Sequence, residues 1–129
     1  PITQNSMMFY GDHLAYHDYE GIALDLDERQ RLEADLGQKF VMILRNHGLL
    51  VCGRSVGEAF ELLHGLEHAC DAQIAAQAGG GELILPAADV CAHTADQFWG
   101  APSPEARFGG RAWPAMRRMI DRHNPGYAV

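Results

Sequence analysis

Phe40–Leu44 and Leu49–Cys52 are two short apolar runs rich in β-formers, and only Arg45, Asn46, His47 and Gly48 separate them. This spacing predicts two strands joined by a hairpin-like corner, a local arrangement that the rest of any fold must accommodate. Gly48 is expected to supply the positive φ of the turn, since it has no Cβ to clash. The reversal would leave the His47 side chain at the end of a rigid sheet, which makes it a candidate ligand. The plain structural alternative is a turn histidine that only hydrogen-bonds the backbone.

A chain of 129 residues fits one domain and buries roughly two thirds of its unfolded surface, enough for a true core. The 47% hydrophobic and 21% charged composition is that of a globular protein. No run of about 18 apolar residues would span a bilayer, and no secretory signal opens the sequence. The net charge of −7 gives the surface as a whole no attraction for nucleic acid or an anionic membrane. Cys52, Cys70 and Cys91 are odd in number and widely spaced, without a Cys-x-x-Cys. They argue against a disulfide framework or a thiolate zinc site and imply a reducing, cytoplasmic setting.

Along the chain, a helical turn is expected near Gln4–Tyr10, ended by Gly11, and a short strand from Leu14 running into an exposed loop. A helix follows, capped by Asp25 or Asp27, carrying Leu32 and Leu36 on one face and closed by Gly37. Ser55 and Glu58 have the spacing of a capping box for a helix over Val56–Gln77. On that helix Ala59, Phe60, Leu63, Leu66, Cys70 and Ile74 are read as the core face, with Glu61, His64, His68 and Asp71 on the other side. Gly79–Gly81 is a hinge. A further helix is expected over Ala88–Trp99, stopped by Gly100; Ala101–Glu105 and Gly109-Gly110 read as linker. The last helix runs from Trp113 or Pro114 to Arg122, with Trp113, Met116 and Ile120 along one side.

His64-Gly-Leu-Glu-His68 matches H-x-x-E-H, in which two helical imidazoles one turn apart hold zinc and a glutamate acts as base. Such sites need a further acidic ligand on a later helix, for which the remaining sequence has no match, so a solvent-facing helix surface is the simpler account. His13 and His17 are also four apart, but the β-type aromatics around them favour solvated loop histidines. Tyr127 could give a proton to a neighbour's pocket, against the plainer account of a frayed terminus. No phosphate loop, nucleophile elbow or cysteine–histidine pair is present.

Ile43-Leu-Arg-Asn-His-Gly-Leu-Leu50, Gly53, Val56-Gly-Glu-Ala-Phe60 and Leu66-Glu-His-Ala-Cys70 with Gln73 together resemble the class II aldolase/adducin family. Ala15-Tyr-His-Asp-Tyr-Glu-Gly21 and Pro1-Ile-Thr-Gln4 are similar to its bacterial adducin-like branch, as is the closing stretch from Trp113 through Asp121-Arg122 to Pro125-Gly-Tyr127. The resemblance implies an α/β fold, part of a three-layer α/β/α sandwich around a mixed, mostly antiparallel sheet. It also implies a homo-oligomer, a tetramer in the family, with pockets between subunits. The family's enzymes hold Zn²⁺ or a related divalent metal with three histidines, two from an upstream His-x-His pair and the third at the Asn-His-Gly corner, here His47. Tyr19 falls near where some members place a substrate-pocket aromatic.

The sequence departs from that pattern because it holds no His-x-His pair. Residues 1–78 are therefore expected to form the C-terminal part of such a domain, and residues 79–129 a glycine-jointed tail whose terminal helix packs on a neighbour. The resemblance implies a parent protein that is a cytoplasmic metal-dependent lyase or isomerase, acting on a hydroxy-carbonyl or sugar-like small molecule through an enediolate. One imidazole binds a divalent ion feebly, so weak or absent metal and no turnover are expected of this chain by itself. The alternative is a non-catalytic adducin-like binding or scaffolding domain.

Overall fold

The computed structural model describes residues 1–22, 24, 26–100 and 108–127. Asp25 and the linker at Ala101–Glu105 lie outside the described residues. The chain runs α1 (Gln4–Met7), β1 (Leu14–His17), α2 (Glu28–Leu36), β2 (Val41–Leu44), β3 (Gly48–Val51), α3 (Val56–Ala78), α4 (Ala88–Trp99) and α5 (Ala112–His123).

The three strands lie in the order β1-β2-β3. β1 pairs parallel to β2, with α2 as the crossover a parallel pair requires, and β2 pairs antiparallel to β3 through the hairpin. The sheet is thus mixed, with one ladder of each kind. Register fixes the faces, because directly paired residues point the same way and the side-chain period is two. Leu14, Val41 and Val51 share one face, while Ala15, Met42 and Leu50 share the other. Val41 and Met42 are both fully buried, so the central strand is covered on both sides, and its unbroken apolar run, Val-Met-Ile-Leu, fits that position.

α3 covers the Val41 face: Val41, Leu62, Leu66, Ala69, Met8 and Phe9 form one core cluster, flanked by Leu14, Leu49 and Val51. α2 lies on the other face, where Asp35 reaches His17. The result is helix, sheet, helix. Leu62 is wholly buried, and removing one such side chain from water is worth roughly 2–3 kcal/mol.

The α3 core face differs from the sequence expectation. Leu66 is buried as expected, but Phe60 and Leu63 are each 39% exposed and Ile74 is 65% exposed, while Leu62 and Ala69 turn inward. Apolar residues surround this helix, so periodicity alone does not choose the buried side. The cap also differs by one residue. Ser55 Oγ accepts from the Glu58 amide at 3.1 Å, but the Glu58 carboxylate accepts from the amide of Arg54 rather than that of Ser55. That bond satisfies a carboxylate only 5% exposed.

At the start of the chain Thr3 and Ser6 form a reciprocal capping box for α1. α2 ends at Gly37, as expected, with φ of 56°. Asp27 stands at its N-cap but makes no capping hydrogen bond through its side chain. α4 spans Ala88–Trp99 and closes with the Gly100 amide on the Asp96 carbonyl at 2.8 Å. Trp99 ties it to the core: its indole N–H donates to the Met8 carbonyl at 2.7 Å, and its ring packs against His13, Phe40 and Phe108. α5 lies against α3, with Trp113 over Gly57 and 5.3 Å from the Phe60 ring. Gly109 makes that approach possible. Its φ is +81°, a Cβ there would stand 2.5 Å from the Glu58 nitrogen, and its amide donates to the Glu61 carboxylate.

Candidate functional site at the hairpin end

The hairpin turns through Arg45, Asn46 and His47, with the His47 amide donating to the Leu44 carbonyl at 3.1 Å. The residue with positive φ is Asn46, at 59°, and not Gly48, which corrects the sequence expectation. Asparagine is among the few residues with a Cβ that tolerate this conformation, so the strand can begin at Gly48. His47 is left exposed at the end of the sheet.

Beside it opens a cleft of ≈ 350 Å³ on the α2 face, lined by His17, Tyr19, Glu28, Leu32, Arg45 and His47 among others. Tyr19 is 53% exposed at its rim. Arg45 pairs with Asp18 and lies 5.1 Å over the Tyr16 ring, which fixes the guanidinium at the cleft mouth. Farther along the α2 edge, Arg31 grips Glu20 through two nitrogens and holds its carboxyl below the usual carboxylate range.

His17 is not the solvated loop histidine expected from sequence. Alternation along β1 turns Ala15 and His17 to the α2 side, and His17 is only 5% exposed. Its Nδ1 lies 2.8 Å from Asp35 Oδ2, a hydrogen bond that fixes the orientation of the ring. Nε2 lies 3.8 Å from Glu28 Oε1 and has no hydrogen-bond partner among the described residues. A buried, oriented imidazole thus stands in the wall of the cleft that holds His47. The sequence-level signal for it was the period of two from Leu14 to His17, outweighed by the polar residues that follow. His13 is likewise no solvated histidine: its ring stacks on Trp99 at 4.9 Å, and burial lowers its pKa.

The remaining candidates lie elsewhere. His64 and His68 project from the exposed side of α3, across the sheet from the cleft, with ring centroids 4.3 Å apart. Tyr127 donates to Asp121 at 3.0 Å within its own chain. Among the described residues no three His, Cys, Asp or Glu side chains converge in a geometry that could hold a metal ion. His47 thus belongs to no complete coordination sphere among the described residues.

Solved structures share this fold. An aldolase II superfamily protein from Pseudomonas syringae matches with a TM-score of 0.88 and 50% identity, over 98% of this chain and 50% of that one. L-fuculose 1-phosphate aldolase from Glaciozyma antarctica matches with a TM-score of 0.75 and 28% identity, over 100% of this chain and 47% of that one. Alpha-adducin from Mus musculus is 38% identical over 98% of this chain and 18% of its own length. The chain spans about half the length of the curated bacterial relatives it matches. Residues 1–74, which include β1, the hairpin with His47 and most of α3, match the model of the Class II Aldolase and Adducin N-terminal domain. The chain belongs to the class II aldolase and adducin family.

Proposed function

We propose that this chain supplies one metal-binding arm, His47, and the adjoining cleft wall to a divalent-metal-dependent lyase or isomerase of the class II aldolase type. The observation that supports the reading most directly is His47 standing free at the hairpin end, in the same cleft as Tyr19 and the oriented imidazole of His17. The described residues bring no complete metal sphere to that point. The other ligands, including a His-x-His pair, belong to residues outside this sequence. Zinc or a related ion, once bound, would stabilise the enediolate of a hydroxy-carbonyl or sugar-like substrate. Tyr19 would offer its hydroxyl to that substrate at the cleft rim, and Arg45 its charge to an anionic group.

In the same reading the parent protein is cytoplasmic and a homo-oligomer, a tetramer as is usual in the family. Exposed apolar side chains such as Ile22, Ile84 and Leu85, at 82%, 92% and 63%, suit such an assembly, with residues 79–129 reaching a neighbouring copy. A second reading, a non-catalytic binding or scaffolding module, draws support from the likeness to alpha-adducin.

Metal analysis and turnover assays on the full-length protein separate the two. The enzymatic reading expects about one divalent ion per chain, lost in His47→Ala without change in far-UV circular dichroism. It also expects cleavage or isomerisation of a member of a panel of hydroxy-aldehydes, their phosphates and sugar acids. An ion fully retained by His47→Ala refutes the assignment of His47. A metal-free, inactive full-length protein favours the binding module.

A further inference from the structure

His64 and His68 stand one helical turn apart on α3, both exposed, on the side of the sheet away from His47. At positions i and i+4 of an α-helix two side chains project from the same face, one above the other. Their rings do more than share a face: the centroids are 4.3 Å apart, with an interplanar angle of 62°. Two imidazoles bound to one ion through bonds of about 2.0–2.1 Å, at an angle of about 90–110°, have centroids roughly 4.5–5 Å apart. The observed centroid separation is close to that value.

The pair is also backed by its neighbours. The Phe60 ring stacks on His64 at 6.1 Å and 15°, and Trp113 of α5 packs on Phe60 at 5.3 Å. This row of rings limits the rotamers open to His64, so less side-chain freedom is lost when an ion binds. Asp71 lies two turns beyond His64 on the same stripe and adds negative charge without joining the pair in a three-ligand cluster.

We propose that His64 and His68 form a two-imidazole surface site for a borderline divalent transition ion, Cu²⁺ or Ni²⁺ ahead of Zn²⁺, with water in the remaining positions. The order follows the intrinsic preference of nitrogen ligands for these ions, and the hard ions Mg²⁺ and Ca²⁺, which take oxygen ligands, are excluded. The site is independent of His47 and of any reaction at the hairpin cleft.

The test is a titration of the full-length protein, chelator-treated, free of affinity histidines and carrying His47→Ala, with copper(II) chloride. Tryptophan emission and heat are followed together. The expected result is a saturating copper equivalent that quenches tryptophan emission and depends on His64 and His68. His64→Ala and His68→Ala should each weaken binding on the order of a hundredfold, since losing one arm removes the chelate advantage. Excess Mg²⁺ or Ca²⁺ should not compete. Both side chains are exposed, so circular dichroism should be unchanged, and His64→Gln and His68→Gln repeat the test with side chains that keep the helix favourable. Single variants that titrate like their parent, or a site that Mg²⁺ fills equally well, would overturn the assignment. Copper held by the remaining imidazoles of the His47 site is common to parent and variants, so the difference between them reports His64 and His68 alone.

Discussion

Replacing Asn46 and Gly48 in turn by alanine tests how the hairpin presents His47. Asn46 holds a φ of 59°, and a residue with a Cβ but no compensating polar group is disfavoured there by roughly 1–2 kcal/mol. Gly48 does not have positive φ, and a Cβ built on it meets nothing within 4 Å. Alanine there should be tolerated and should stabilise by about 0.5 kcal/mol, because it restricts the unfolded chain. Asn46→Ala is therefore expected to lose about 1 kcal/mol and Gly48→Ala to gain a little, a gap of about 1.5 kcal/mol. With a urea slope of roughly 1.5 kcal/mol per molar, the two unfolding midpoints separate by about 1 M. Asn46→Gly, which keeps the backbone conformation open, should stay close to the parent. The measurement is equilibrium urea unfolding followed by circular dichroism on all three variants. If Gly48→Ala proves the more damaging change, the turn geometry given above is wrong, and with it the placement of His47.

Two further outcomes follow from the packing around His13 and the cysteines. Burial holds His13 below its ordinary value of 6.5, with Asp12 and Asp96 pulling it back up. The unfolded chain thus takes up the proton first as pH falls, so this contribution is present above the unfolded pKa and is lost on acidification toward the folded one. His13→Gln should flatten that acid loss in urea unfolding at pH 7.5 and 5.5, and an unchanged pH dependence would count against the stacked, desolvated ring. Cys52 is exposed and Cys91 is 1% exposed, while burial, with help from Glu67 and Asp71, raises the Cys70 pKa. Iodoacetamide labelling at pH 8, read by mass spectrometry, should therefore modify Cys52 first and Cys91 last. Early labelling of Cys70 would contradict the shielding described here.

The two apolar runs around Arg45–Gly48, the Ala88–Trp99 helix and the stop at Gly37 were legible because each rests on local chemistry: β-forming runs, a turn, a terminating glycine. The face of α3 was not. Phe60 and Leu63 are as apolar as Leu62, and what separates them is where β3 and α5 happen to lie, which no local pattern encodes. The same holds at the site. His47 could be singled out from its place in a turn, but His17 becomes informative only when α2 brings Glu28 and Asp35, 11 and 18 residues on, to its ring. A buried polar residue on a short strand depends on partners that sequence order does not reveal.

The indole of Trp99 grips a carbonyl 91 positions earlier. Closing so long a loop is entropically unfavourable until the intervening structure has formed, so this contact belongs to a late stage of folding. During synthesis, α1 would remain without this anchor until α4 has emerged. Shortening the chain anywhere before position 99 should then leave the Met8 carbonyl without its indole partner, even where the hairpin and the long helix have already formed.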